Sequence, residues 1–444
     1  METTTDTKNS FINTFREFEA GLNGSAQGSL HEKRKEAISL FEKTGFPPTR
    51  DEEYRYTNIA KALQKSLGSN TGQLESDMDA QAIEGFLFKG LEANQLVFIN
   101  GRFKPGLSQI ISDPKNILIQ ELSEAYKEQP EKVGAAISKH AKPESDAFVA
   151  LNTAFAHNGV YIEVPDNTVA EHPVVLNFIS DGTKGTTTSM PRNLFLVGRS
   201  ASVSIVEAFS SIGENTTFTN IVTEIDVQQN AQVQFVKLQT EEDKAIQVNN
   251  THIYQQADSR VTTTTISLGG NLIRNNLNYA VDAKNCESNM YGLYYLHGNQ
   301  HVDNHTVVDH RQPHCESNEL YKGIMDDSST GVFNGKIYVR QAAQKTNAFQ
   351  SNKNLLLSDN ATINTKPQLE IWADDVKCSH GATTGQIDQE QIFYLRSRGL
   401  SRESAQALLL FAFAGEIIEH ISLEPLRAYF TDILEMKLKA KYQG

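Results

Sequence analysis

For roughly half of its 444 residues, from about Val160 to Val376, the chain carries no helical periodicity. Short runs of Val, Ile, Leu, Thr, Phe and Tyr are broken every dozen or so residues by Asn, Gly, Ser and Asp, the pattern of strands separated by tight turns. Ile337 and Val339 alternate with Lys336, Tyr338 and Arg340. Leu369, Ile371 and Ala373 alternate in the same way with Gln368, Glu370 and Trp372. Such alternation puts one apolar and one wet face on each strand. A sandwich of this length would be unusually large, whereas a solenoid grows by adding coils that each cover the open edge of the last. The pattern therefore favours a parallel β-helix, although no short repeat of the hexapeptide kind is visible.

The flanks read differently. Polar, Thr-rich residues 1–9 read as a disordered tail. Residues 10–159 read as a mainly helical region with some strand. Phe11, Phe15, Phe18 and Leu22 share a helical face behind Ser10 as N-cap, and a second helix runs from Leu30 to Lys43 until Gly45, Pro47 and Pro48 stop it. Short strands surround Asn100 and Gly101, and helical periodicity runs from Ile119 towards His140. The β-helix core is placed at 160–384. Residues 385–444 return to helix, with Asp388 and Ser401 as N-caps, Gly399 as a stop and Pro425 opening the last helix.

Composition narrows the function classes. A net charge of -13 opposes a grip on nucleic acid, which needs clustered Lys and Arg, and points to protein partners. The longest apolar run, Ala407 to Ala414, is far short of the roughly 20 residues that span a bilayer. Cys286, Cys315 and Cys378 form an odd, widely spaced set, which predicts free thiols in a reducing cytoplasmic setting.

The segment Lys377 to Thr383 holds the most pointed chemistry. Three cysteines cannot hold a stable iron-sulfur cluster by local ligands, so the chain either carries none or lends one or two ligands to a shared site. If the strand from Leu369 runs straight on, Cys378 and His380 project from one face towards one partner surface. Lys377 is then placed to depress the thiol pKa of Cys378. From spacing alone, a buried small Cys and an edge histidine bonded to water are the stronger reading.

Other features yield less. His297, His301, His305, His310 and His314, with Cys315, scatter over both faces of a strand, which favours a polar or turn-stabilising role over a zinc or iron site. Gly331 to Ile337 resembles a phosphate-binding loop but is short by one residue and has Ile337 where a Ser or Thr should bind magnesium. The pairs Asp326-Asp327 and Asp374-Asp375 raise a carbohydrate-active β-helix enzyme as an alternative. Adjacent carboxylates on a strand point opposite ways, so a turn role is preferred.

From Asp303 to Gly415 the chain resembles the SufB/SufD family through ordered blocks. They are His305, Asp309-His310, Glu319-Leu-Tyr-Lys-Gly323, Val332-Phe-Asn-Gly-Lys336, Ala343-Gln-Lys-Thr346 and Asn354-Leu-Leu-Leu-Ser358. Lys366-Pro-Gln-Leu-Glu-Ile371, Asp374 to Thr383 and Phe393-Tyr-Leu-Arg-Ser-Arg-Gly399 continue the series. Gly45-Phe-Pro47 and Glu52-Glu-Tyr-Arg-Tyr-Thr57 are similar to the family's leading signature, and Lys377 to Gly381 is similar to its SufD branch. The resemblance implies a mainly β protein with a right-handed parallel β-helix core, an α/β N-terminal region and a C-terminal helical domain that binds an ABC-type ATPase, SufC. It implies a non-enzymatic scaffold paired with a SufB-like chain. At their interface His380, with Cys378 as its neighbour, acts with a partner cysteine on a transient iron-sulfur cluster or iron, and no cofactor is held permanently by this chain alone. A homodimer when the partner is absent and a purely structural adaptor role remain alternatives.

Overall fold

The computed structural model describes residues 3–22 and 28–442. Its body is a parallel β-solenoid in which successive strands fall alternately into two sheets. One sheet takes 202–212, 232–239, 260–267, 287–296, 316–325, 347–356 and 377–385. The other takes 217–227, 245–255, 272–281, 301–310, 330–339 and 362–371. Neighbouring strands within each series pair in parallel, coil on coil.

Each coil needs a sharp corner, and the left-handed backbone region supplies it. Ser200 (φ 54), Asn230 (φ 60), Asp258 (φ 64), Asn285 (φ 60), His314 (φ 63) and Lys345 (φ 61) occupy this corner. Each donates its N–H to the coil that follows, as in Asn230 to Ala257 O (2.9 Å) and His314 to Gln344 O (2.9 Å). Among residues other than glycine, Asn and Asp are the most tolerant of this conformation; they fill three consecutive corners, 230, 258 and 285, while Ser, His and Lys fill the other three.

Inward residues from the two sheets form one continuous apolar core that includes Phe178, Phe209, Phe235, Ile253, Tyr279, Met290 and Phe333. Polar side chains share this interior in the earlier as well as the later coils: Asn193 Nδ2 donates to Glu207 Oε1 (2.9 Å), Lys237 Nζ to Thr251 Oγ1 (3.1 Å) and Gln239 Nε2 to Asn275 Oδ1 (3.0 Å). Tyr294 Oη donates to Asn354 Oδ1 (2.6 Å), and Asn352 Nδ2 donates to Tyr321 O (3.2 Å). Gln350 Nε2 donates to Glu319 Oε2 (2.7 Å).

The two ends of the solenoid differ. At the first end the strand 94–99 pairs with 174–179 and is itself covered by antiparallel 102–103, while antiparallel 118–121 covers 160–164. At the last end 377–385 and 362–371 are the terminal strands of their sheets. The N-terminal helices pack on the outer face of the second sheet through Phe11, Phe15, Phe41, Phe148, Phe218 and Val248. Helices 402–418 and 424–442 pack on the outer face of the first through Leu410, Ile417, Phe430 and Leu434 against Val236, Ile266, Leu293 and Ile324.

Three local expectations are corrected. Residues 3–9 are not a tail: a helix spans Thr3–Gly21, because Thr7 is buried and bonds Gly68 O (2.9 Å) at the end of helix Ile59–Leu67. Ser10 is therefore inside that helix, with its hydroxyl donating back to Asp6 O (3.0 Å), and caps nothing. Ile119 begins no helix; it lies in strand Leu118–Glu121, and helices follow at Leu122–Glu128 and Pro130–Ala136. Met1 and Glu2 lie outside the described residues. Among the later helices Asp388 and Ser401 cap as expected, accepting from Glu390 N (2.8 Å) and Ser404 N (3.0 Å).

Candidate functional site

The strand Thr362–Ile371 does not continue into Cys378. The chain turns after Ile371, crosses to the other sheet and starts a new strand at Lys377, so the straight-run expectation is corrected. Cys378 and His380 nevertheless share a face, for a different reason. In the register of the last two coils they lie beside Ala348 and Gln350, both inward-facing and buried. Strand periodicity then turns Cys378 and His380 to the inner side of the solenoid, at the one end where no further coil lies over it.

The two side chains meet different surroundings. Cys378 is half-buried against a small apolar cluster of Ile337, Val339, Ala343, Ala348 and Ala373. Burial pushes its thiol above the ordinary value, opposed only by a hydrogen bond from the Ala348 backbone. This corrects the expected lowering by Lys377, whose side chain leaves the strand on the opposite face. His380 is exposed.

The terminal strand also carries unspent backbone groups. Lys377 N–H bonds Thr346 O (2.9 Å), so the odd-numbered residues of this strand pair with the previous coil. Cys378, His380, Ala382 and Thr384 accordingly turn N–H and C=O towards the open side. An uncovered, regular edge of this length is a template for another chain's strand. Exposed apolar side chains gather around it and on the helices beyond: Phe349, Ile371, Trp372, Phe393, Tyr394, Leu400 and Leu408. Trp372 stacks on Tyr338 at 6.2 Å, with Arg340 over both rings.

The histidine series is not brought together. His301 bonds Thr57 Oγ1 (2.9 Å) and His305 bonds Glu53 (3.2 Å) and Asp303 (2.9 Å), both fastening the N-terminal region to the outer face of its sheet. His310 points inward and bonds Ser317 Oγ (2.9 Å), and His314 is a corner residue. No group of three or more His, Cys, Asp or Glu among the described residues could hold a metal ion. The segment Gly331 to Ile337 is strand, not loop. The acidic pairs sit in turns: Asp327 accepts from Gly298 N (2.8 Å), and Asp375 N–H bonds Gln344 Oε1 (2.9 Å).

Two of the ordered sequence blocks, 319–323 and 332–336, have architectural roles. Gly323 and Gly335 face inward, where a Cβ would collide with Tyr294 and Gln350 respectively. Lys322, within the same block as Gly323, points outward to helix 402–418, donating to Phe413 O (2.8 Å) and pairing with Glu416. The contact between Cys286 and Cys315 was missed by sequence reasoning. Their separation equals one coil, a period that the sequence does not display.

Comparison with known proteins matches residues 178–413 to the family model "SUF system FeS cluster assembly, SufBD core domain" and residues 5–176 to "SufBD protein N-terminal region". The chain is 35% identical over 419 residues to an iron-sulfur cluster assembly SufBD family protein of Synechocystis, covering 92% of this chain and 91% of the relative. It is 31% identical to the iron-sulfur cluster assembly protein SufD of Escherichia coli, over 92% of each. It is 30% identical to the chloroplastic protein ABCI7 of Arabidopsis thaliana, over 92% of this chain and 86% of that one.

Proposed function

Because the chain belongs to the SufBD family of SUF-system iron-sulfur cluster assembly proteins, we propose that it is a SufD-type scaffold that acts without catalysing a reaction itself. A SufB-like chain docks on the open end of the solenoid and completes an assembly site with His380 and Cys378. One observation carries this reading: an imidazole and a thiol share the inner face of a terminal strand whose outer backbone groups are unspent. Two donors cannot satisfy an iron-sulfur cluster, which takes about four, so the remaining ligands come from the partner and the cluster leaves as product. Iron and sulfide are cargo here.

The exposed face of helices 389–397 and 402–418, with Phe393, Tyr394 and Leu408, suits an ABC-type ATPase of the SufC kind. Helix 402–418 is fixed to the sheet by Lys322, so a force exerted on it reaches the coil that contains Glu319 and Tyr321. A reducing compartment such as the cytosol fits three free thiols. When the partner is absent, the same edge suits a second copy of this chain. No helix among the described residues is long and apolar enough to cross a membrane. The carbohydrate-enzyme alternative loses its support with both acidic pairs in turns.

The test is reconstitution with SufB-like and SufC-like chains. His380→Ala is expected to form the complex normally and to lose the visible absorbance of the nascent cluster. A full cluster yield on that variant would overturn the site, and failure of the unaltered chain to hold a SufB-like partner would overturn the scaffold reading.

A further inference from the structure

Ser259, Cys286, Cys315 and Thr346 occupy the same place in four successive coils, each immediately before a strand. Glu287 N bonds Ser259 O (3.0 Å), Glu316 N bonds Cys286 O (2.9 Å) and Asn347 N bonds Cys315 O (3.0 Å). Two thiols are thereby stacked one coil apart. Neighbouring strands stand about 4.8 Å apart, inside the span of roughly 4.4–6.8 Å between Cα atoms that a disulfide bridges. The sulfurs also converge: Cys286 Sγ and Cys315 Sγ each lie 3.2 Å from the same Ala283 carbonyl oxygen. Both residues are almost wholly buried, at 1% and 0% exposure, and His310 is buried beside Cys315. Nothing in the scaffold role calls on them.

We propose that Cys286 and Cys315 are a peroxide-oxidised pair whose disulfide staples two successive coils of the solenoid. Cys315 is the attacking sulfur, since it is the one of the two thiols with an imidazole beside it, that of His310, to receive its proton. The Cys315 thiolate attacks one oxygen of hydrogen peroxide. An S–O bond forms, the O–O bond breaks, and the departing hydroxide takes up the proton that Cys315 had released. The Cys286 sulfur then attacks the Cys315 sulfenic sulfur, the S–O bond breaks, and hydroxide leaves with the Cys286 proton as a second water. Two thiols are oxidised to one disulfide and one peroxide is reduced to two waters. Burial selects the oxidant: a small uncharged peroxide penetrates where glutathione disulfide does not.

The test is titration of the full chain with hydrogen peroxide, followed by unfolding, thiol counting and non-reducing peptide mapping. The expected product is two hydrogen atoms lighter, retains one of its three thiols, and links the peptides holding residues 286 and 315. Cys286→Ser is expected to convert it into a chain heavier by oxygen at Cys315, with no internal cross-link. Recovery of Cys286 and Cys315 as free thiols after Cys378 has been oxidised would overturn the proposal. So would a disulfide that uses Cys378. The map of the unaltered protein needs no variant, so a Cys286→Ser chain that does not fold leaves the proposal open to refutation.

Discussion

Gly323 lies directly against the ring of Tyr294 inside the solenoid: a Cβ built on it would stand 2.6 Å from Asn354 Oδ1 and closer still to the ring. Tyr294 is fully buried and holds Asn354 with its hydroxyl, so neither neighbour can swing away without breaking that bond. Gly323→Ala is expected to destabilise the chain by about 1–3 kcal/mol, the usual cost of overpacking. It would be read as a lower urea midpoint with an unchanged slope. Gly381→Ala, with nothing within 4 Å of its Cβ, is the matched control and should shift the midpoint by less than ~0.5 kcal/mol.

Glu319 sets a pH dependence of definite sign. Burial raises its carboxyl from 4.5 to about 7, so the folded chain holds a proton here that the unfolded chain releases. Stability from this group is complete below pH 4.5 and is lost as pH rises through about 7. Glu319→Gln keeps an oxygen for Gln350 and removes the titration. The variant should match the parent near pH 4.5 and exceed it by up to ~3 kcal/mol at pH 8–9, measured by chemical unfolding at a series of pH values. Equal stabilities at pH 8–9 would contradict the assignment.

How much of this was legible in the sequence depends on whether the cause was local. The β body, the turn roles of Asp326-Asp327 and Asp374-Asp375, and the caps at Asp388 and Ser401 follow from residues within a few positions of one another, and the structure has them. The coil period was hidden because it varies: the step is 27 residues from Arg260 to Glu287 and 31 from Glu316 to Asn347. The corner residue changes too, from Asn to Asp to His to Lys. Without the period, Cys286 and Cys315 could not be stacked, and Cys378 could not be assigned its buried neighbours on the preceding coils. The helix at residues 3–9 was illegible because its support comes from Gly68, far along the chain.

Lys322 should govern whether the C-terminal helices stay on the sheet. Its ammonium is almost fully enclosed, donates to Phe413 O (2.8 Å), pairs with Glu416 and lies 4.4 Å from the Phe413 ring centroid. Lys322→Met fills similar space but donates nothing. Loss of a charged hydrogen bond of about 2 kcal/mol should speed amide exchange in helix 402–418 by roughly 30-fold, while the N-terminal coils exchange as before. Unchanged protection of that helix would show that apolar packing alone holds it.

The open edge can be tested without touching a cluster ligand. Ala382 turns its N–H to the outside of the terminal strand, whereas that of Thr383 points to strand 347–356, by the alternation that Lys377 N to Thr346 O establishes. Proline removes an N–H in either place but takes it from a different ladder. Ala382→Pro should therefore leave the unfolding midpoint of the isolated chain within ~0.5 kcal/mol and weaken association with a SufB-like partner at least ~10-fold, about 1.4 kcal/mol. Thr383→Pro should cost the isolated chain about 2–3 kcal/mol. The contrast separates edge pairing from general damage: if both variants bind the partner as the parent does, the partner does not pair along this strand, and the shared site at Cys378 and His380 loses its geometric basis.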